Sequence, residues 1–228
     1  MEEDIIEGAF EEEEMVVDDD DDDIIILSSD EEIEVEAPVE EKDDSLKILK
    51  NRFNPRNQSE LRLLLDYQRI QITDPKKLGF VAFPQNENLM IWEVRLYCTD
   101  EKNPLYQDLI EYNKIYKRDY VEMNFHFPKD YPMNPPFVRV IQPRFAFHTG
   151  RVTIGGSLCT DVLTSSGWNC LYDIETLMVN IASEMLASNP RIDFRNQTKY
   201  SLEDAFEAYR RVASDHGWKV PSWNPLTN

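Results

Sequence analysis

The sequence predicts an α+β fold in which a four-stranded antiparallel meander lies between an N-terminal helix and two C-terminal helices. Apolar residues follow a helical period near residue 60, alternate along four stretches between residues 79 and 141, and return to a helical period after residue 173. Half-buried strands that follow one another mostly without long helices favour antiparallel pairing.

The first helix is predicted from Ser59 to Ile70. Leu61, Leu64 and Leu65 recur at helical spacing, and Ser59 is interpreted as the N-cap. The helix must end before Pro75, because proline removes a helical hydrogen bond.

The four predicted strands alternate apolar and polar residues with period two. In the third strand the apolar residues share one face, and Glu122, Asn124 and His126 face the other way. The long connection between the second and third strands is predicted to hold a short helix. The strands cover residues 79–84, 90–97, 120–127 and 137–141, and the connection covers residues 100–119.

After the strands, residues 142–172 form a long loop rich in Gly, Ser and Thr, where functional residues are expected. The first C-terminal helix is predicted to begin at an Asp173 cap and to stop at Asn189 and Pro190. The second begins with a capping box at Ser201 and ends at Gly217.

The charge of the chain is concentrated at its N-terminus. Among 228 residues, 24 are Lys or Arg and 44 are Asp or Glu, a net charge of -20. Residues 1–44 hold 23 of the acids, with Lys42 as the one base, so residues 45–228 sum to +2. We predict an acidic disordered tail over residues 1–44 and one domain over residues 45–228.

Several function classes have little support in the sequence. The longest aliphatic run, Ile24 to Leu27, is too short to cross a membrane, and the acidic N-terminus does not resemble a signal peptide. We therefore expect an intracellular protein of the nucleus or cytoplasm that binds no membrane. No tract combines basic and aromatic residues, so no nucleic-acid partner is expected. The three cysteines have no metal-ligand spacing, and no metal is expected.

Cys159 is the candidate nucleophile, because it lies in the long loop after a pair of glycines, Gly155 and Gly156. The glycines are interpreted as letting the backbone approach whatever occupies the thiol. The alternative is that Cys159 packs as a small apolar residue. Cys98 and Cys170 are interpreted as structural. Among the histidines, only His148 precedes the cysteine loop, and it is given a local role.

Three motifs, in order, resemble those of ubiquitin-conjugating enzymes. These are the strand-to-loop segment 127–138, the active-site segment 156–163 and the downstream Trp168. Within that family the sequence is similar to the Q class, on the basis of Pro135–Val140, Gly155 and Gly156, residues 103–109 and residues 216–221. The predicted helices and strands fit the ubiquitin-conjugating fold.

The resemblance implies that Cys159 accepts ubiquitin as a thioester from the activating enzyme and passes it to a substrate or to a ligase cysteine. It implies no cofactor, since ATP is used by the upstream activating enzyme. The expected partners are ubiquitin, its activating enzyme and a ubiquitin ligase. Arg62, Met133 and Leu171 fall where relatives meet these enzymes, and the alternative is that they are ordinary solvated side chains.

The sequence departs from the family where most members have His-Pro-Asn, because His148-Thr-Gly-Arg151 stands there instead. Thr149, Arg151 and Asn169 are candidates to replace the missing Asn as hydrogen-bond donors to the oxyanion. Asp193 is the candidate acceptor-side carboxylate. The missing Asn favours acceptors other than lysine.

The tail contains a segment that resembles a SUMO-interacting motif. Ile24, Ile25, Ile26 and Leu27 lie between six Asp and the acids after Ser29, as expected for a strand that adds to the edge of a partner's sheet. The alternative is a solubilising arm. For the whole protein, the alternative to an active enzyme is an inactive module that keeps the fold to bind ubiquitin or a ligase. A cysteine hydrolase is disfavoured, because no base and orienting pair are recognisable.

Overall fold

The computed structural model describes residues 40–227, with side chains from Asp44 onward. The predicted SUMO-binding segment, Ile24 to Leu27, lies outside these residues. The first described element, helix α1, begins inside the segment assigned to the tail. The helices are α1 (Glu40–Phe53), α2 (Gln58–Ile72), α3 (Pro75–Leu78), α4 (Pro104–Tyr116), α5 (Ile174–Ala187) and α6 (Leu202–Asp215).

The strands form one antiparallel sheet in the order β1-β2-β3-β4, which confirms the predicted α+β meander. Each strand lies within two residues of its predicted bounds, and α4 occupies the connection expected to hold a helix. The strands are β1 (Phe80–Gln85), β2 (Asn88–Leu96), β3 (Val121–His126) and β4 (Phe137–Gln142).

The N-cap predicted for the helix that begins near residue 59, which is α2 in the structure, is wrong. Asn57 is the N-cap of α2, and its side-chain oxygen accepts a hydrogen bond from the Glu60 amide at 2.9 Å. The Ser59 hydroxyl instead donates to the Lys129 carbonyl at 2.8 Å. Both caps predicted for the C-terminal helices are confirmed, since Asp173 accepts from Thr176 and Ser201 accepts from Asp204.

The sheet is covered on both faces. One face packs in the main core, where Trp92, Val94 and Phe125 are fully buried. On the other face, Phe137 of β4 packs against Phe206 and Tyr209 of α6 at ring separations of 5.5 and 5.6 Å. The polar face of β3 is therefore buried at its C-terminal half, including Asn124 and His126.

Gly155 lies against α6, and Gly156 lies against Tyr200 just before that helix, rather than against the thiol, which corrects their interpretation above. A Cβ at Gly155 would collide with the Asp204 carbonyl and with Ala208, and one at Gly156 would collide with the Tyr200 ring. Gly156 also has a φ of +97°, which side-chain-bearing residues rarely adopt. The glycines thus let the start of α6 approach the segment before Cys159.

The buried imidazole of His126 makes stability depend on pH. Burial, with the Arg139 guanidinium nearby, lowers its pKa from 6.5 to about 4. The unfolded chain therefore binds the proton at a higher pH than the folded protein, and protonation of His126 favours unfolding. The stability that comes from a neutral His126 is fully present above pH ~6.5 and is lost as the pH falls to ~4. His126→Phe keeps a ring beside Phe137 and removes the titrating group. Between pH ~6.5 and ~4.5 we expect the variant to lose about 2–3 kcal/mol less unfolding free energy than the parent.

Urea unfolding at half-unit pH steps measures this difference. Comparing the two proteins cancels the contributions of the other titrating groups, including Asp66, whose pKa is raised. If the unfolding free energies of parent and variant change in parallel with pH, His126 does not cause the pH dependence of stability.

Candidate functional site

Cys159 lies at the end of a tight turn that the loop after β4 forms upon itself. Val152 and Leu158 pair across the turn, and the hydroxyls of Thr153 and Ser157 are 2.8 Å apart. The Cys159 amide donates to the Arg151 carbonyl at 2.8 Å, which fixes the backbone on either side of the thiol.

The loop before the cysteine is held by the segment after α5. Ala146 donates to the Arg191 carbonyl at 2.8 Å, and Gly150 donates to the Ser188 carbonyl at 3.2 Å. The Thr149 hydroxyl donates to the Ala146 carbonyl at 2.8 Å and accepts from the Arg191 amide at 3.2 Å. These bonds make one wall from two segments that are distant in the sequence.

Helix α4 fixes that wall through a buried carboxylate. Asp108 accepts from Nε and Nη2 of Arg191 at 2.8 and 3.0 Å, and from the Ile192 amide at 2.8 Å. Asn103, the N-cap of α4, also donates to the Leu186 carbonyl at 2.9 Å. The insert therefore holds the chain that leaves α5.

The thiol of Cys159 opens onto a groove of about 510 Å³. Cys159 is half-buried, whereas Cys98 is buried, and burial raises the pKa of the Cys98 thiol. The groove lies between the cysteine loop and the last turns of α6. Its walls are formed by Phe147, His148, Thr149, Arg151, Val152, Thr153, Ile154, Ser188, Arg211, Val212 and His216.

His216 is a groove residue whose position beside Cys159 was not predicted from the sequence. Its Nε2 atom lies 3.9 Å from the Cys159 Sγ atom, although 57 residues separate the two. His216 is the C-cap of α6, and its ring stacks on Trp218 at a centroid distance of 4.5 Å. The nearby tryptophan was the signal available in the sequence, because an aromatic neighbour can fix the orientation of a histidine ring.

Three of the four candidates for oxyanion support line the same groove as Cys159, namely His148, Thr149 and Arg151. The His148 ring stacks on Phe147 at 3.8 Å. The Thr149 hydroxyl is already engaged by the wall. The Arg151 guanidinium is exposed.

The remaining candidate for oxyanion support, Asn169, and the candidate acceptor-side carboxylate, Asp193, do not line the groove. Asn169 closes a turn by accepting from the Leu171 amide at 3.0 Å. Asp193 accepts from the Arg195 amide at 3.1 Å and from the Arg195 guanidinium at 3.3 Å. The assignments of Asn169 and Asp193 stay predictions.

The three residues predicted to meet other enzymes belong to one end of the fold. Met133 and Leu171 are 67% and 80% exposed. Trp168 donates to the Pro132 carbonyl at 2.7 Å, beside Met133, and Arg62 donates to the Tyr172 carbonyl at 3.0 Å, beside Leu171.

Arg62 is also paired with a buried carboxylate, which the sequence analysis did not expect. Its Nε atom lies 3.3 Å from Asp66. Burial raises the pKa of Asp66 to about 6, and the attraction of Arg62 acts against this rise. At neutral pH the carboxylate is therefore mostly ionised and holds the guanidinium.

No helix within residues 40–227 is long and apolar enough to span a bilayer.

Comparison with known proteins identifies the family. The family model described as ubiquitin-conjugating enzyme matches residues 62–216.

Three relatives show where in that family the chain falls. Ubiquitin-conjugating enzyme E2 25 of Caenorhabditis elegans is 30% identical over 70% of this chain and 43% of its own length. Ubiquitin-conjugating enzyme E2 Q1 of Homo sapiens is 33% identical over 60% of this chain and 33% of its own. Ubiquitin-conjugating enzyme E2Q-like protein 1 of Mus musculus is 32% identical over 60% of this chain and 84% of its own.

The chain thus spans less than half the length of the first two relatives and most of the third. The family model covers more than half of the chain, and the motifs quoted above carry the same likeness. The chain belongs to the ubiquitin-conjugating enzyme family, in its Q class.

Proposed function

We propose that this protein carries ubiquitin as a thioester on Cys159 and transfers it from there to an acceptor. The observation that carries the proposal is the position of the Cys159 thiol, which opens onto a groove with a histidine nitrogen 3.9 Å away. A thiolate is the reactive form of cysteine, and a neighbouring histidine is a suitable proton acceptor for it. The family membership supplies the substrate class.

Two acyl transfers make up the proposed reaction. In the first, the Cys159 thiolate attacks the carbonyl carbon of the thioester that joins ubiquitin to the activating enzyme. The new S–C bond forms as the activating enzyme's cysteine leaves as a thiolate. In the second, an acceptor amine, hydroxyl or thiol attacks the same carbonyl, loses its proton and displaces the Cys159 thiolate. ATP is consumed only by the activating enzyme.

His216 is proposed as the base for the second step. A hydroxyl attacks efficiently only as its proton is removed, and general bases typically contribute about 10²–10⁴ in rate. With the carbonyl on Cys159, an acceptor in the groove would lie within reach of the His216 ring, which Trp218 holds in place. This base favours transfer to hydroxyl acceptors, because it takes up the proton that they must lose.

The partners of the reaction are proposed on the same basis. The partners are ubiquitin, an activating enzyme and a ligase. Met133 and Leu171 offer exposed apolar side chains on neighbouring loops to a ligase. Arg62 acts mainly in holding this end together, because its guanidinium is shared between Asp66 and Tyr172.

Cys159→Ala should abolish the ubiquitin adduct, because it removes the sulfur that forms the bond. Purified protein is incubated with ubiquitin, activating enzyme and ATP, and the adduct is followed on gels with and without thiol reductant. The parent should give an adduct that the reductant removes. Cys170→Ala, which alters a half-buried cysteine outside the groove, is the matched control and should charge like the parent.

Charging of Cys159→Ala at the parental rate would refute the assignment of the nucleophile. If no variant and no parent forms an adduct while ubiquitin still binds, the protein is the non-catalytic binding module instead.

His216→Gln should slow discharge onto serine and threonine by about 10²-fold, the lower end of the range for a lost general base. Parent and variant are loaded with ubiquitin, and the decay of the thioester is timed with free lysine, serine, threonine or cysteine. The parent is expected to favour serine, threonine or cysteine over lysine. Discharge onto hydroxylamine, a strong nucleophile, should change little and serves as the control.

Equal discharge of parent and variant onto serine would remove His216 from the mechanism. Discharge of the parent mainly onto lysine would contradict the acceptor preference and leave the thioester intact as a proposal.

The tail is proposed to bind SUMO through residues 24–27, on the sequence pattern alone. Replacing Ile24, Ile25, Ile26 and Leu27 by Ala should weaken SUMO binding, because the added strand loses its apolar side chains. Titration of SUMO measures the affinity, and the charging assay on the same variant is the control. Unchanged affinity would show that the tail lacks the motif, and lost charging would show that it serves the thioester step.

A further inference from the structure

The groove beside Cys159 is lined by two arginine side chains. Arg151 lies on the loop wall, and Arg211 lies on α6. No Asp or Glu side chain among residues 44–227 lines it. The groove therefore offers positive charge to whatever approaches the thioester.

The two arginines of the groove are exposed and have no ion-pair partner within the described part of the chain. By contrast, Arg191 is held by Asp108 and Arg69 by Asp173. Unpaired guanidinium groups present a planar fork of donors that matches a carboxylate. Arg151 and Arg211 are thus available to an anionic ligand.

The same groove also presents apolar surface. Phe147 and Ile154, on the loop wall, are 73% and 65% exposed. Large apolar side chains exposed beside a nucleophile indicate a binding surface. The combination of cations and apolar side chains fits a peptide segment that carries both an acidic and an apolar residue.

We propose that the groove selects acceptors in which an Asp or Glu lies close to the acceptor residue. The acidic side chain is held by Arg151 and Arg211, and a neighbouring apolar side chain packs on Phe147 and Ile154. This placement brings the acceptor to the carbonyl on Cys159. The inference rests on the proposed thioester function and deepens it by naming the substrate class.

Discharge of the loaded full-length protein onto three matched peptides tests the preference. Each peptide has twelve residues and one acceptor residue, of the type that reacts fastest as a free amino acid. The three peptides differ at a single position, two residues from the acceptor, which is Glu, Gln or Lys. We expect the Glu peptide to react about 1.5- to fivefold faster than the Gln peptide, the range for one exposed ion pair. The Lys peptide should be slowest. Raising the salt concentration should reduce these differences.

Arg211→Glu should reverse the order of the peptides, because the variant presents an anion where the parent presents a cation. The order is read from the discharge of equal amounts of loaded protein. Arg210→Glu is the matched control, since Arg210 is the neighbouring exposed arginine of α6 and does not line the groove. The control should keep the parental order. A fourth peptide with phosphoserine in place of Glu distinguishes the source of the anion, and we expect it to react no faster than the Glu peptide.

Each contrary result has a distinct meaning. Equal rates for the three peptides, with normal charging and discharge, overturn the inference and leave the proposed function standing. Absent charging of the parent overturns the proposed function itself. Slow charging of Arg211→Glu would show that the groove binds ubiquitin rather than the acceptor, and would overturn the inference. The inference would also be overturned if Arg210→Glu changed the order of the peptides as much as Arg211→Glu. A marked preference for phosphoserine would overturn the carboxylate as the ligand.

Discussion

The ion pair between the buried Asp108 carboxylate and the half-exposed Arg191 guanidinium supports the loop wall of the site. Asp108 is 6% exposed and accepts three hydrogen bonds from the chain that leaves α5. Loss of Arg191 would remove two of the three hydrogen-bond donors to this buried carboxylate, and a buried acceptor left without donors is costly. The chain held by Asp108 in turn bonds Ala146 and Thr149 in the loop before Cys159. The insert helix α4 thus acts on the nucleophile through two layers of hydrogen bonds.

Helix α6 forms the opposite wall, and its position depends on the second face of the sheet. Phe137 packs against Phe206 and Tyr209, and the Tyr209 hydroxyl donates to the Leu163 carbonyl at 2.8 Å. Gly155 lets α6 approach the cysteine segment, and Gly156 makes room for Tyr200 just before the helix. The helix is therefore anchored near its start and middle, and His216 at its end is placed by these contacts together with Trp218.

The fold was predictable from the sequence because its signals are local. Alternation along each strand gave its bounds within two residues, and the caps at Asp173 and Ser201 follow from side chains near the backbone amides they accept. The capping error at α2 arose because Asn57 and Ser59 are both good caps, and the contact of Ser59 with Lys129 is remote in sequence. Burial of His126 depends on a helix far along the chain. The pairing of Cys159 with His216 spans 57 residues for the same reason, so composition and spacing did not reveal it.

Each of the two walls of the groove carries one residue proposed to take part in the transfer and one arginine proposed to bind the acidic side chain of the acceptor. The loop wall carries the nucleophile and Arg151, and α6 carries the histidine and Arg211. Since both helical residues face the groove from the last turns of α6, a shift of that helix would move the proposed base and the proposed anion contact together. Loss of the ion pair between Asp108 and Arg191 would instead displace the loop wall alone. A displaced α6 should therefore impair transfer and selectivity in parallel, whereas a point substitution at Arg211 separates them, because it leaves the helix and His216 in place.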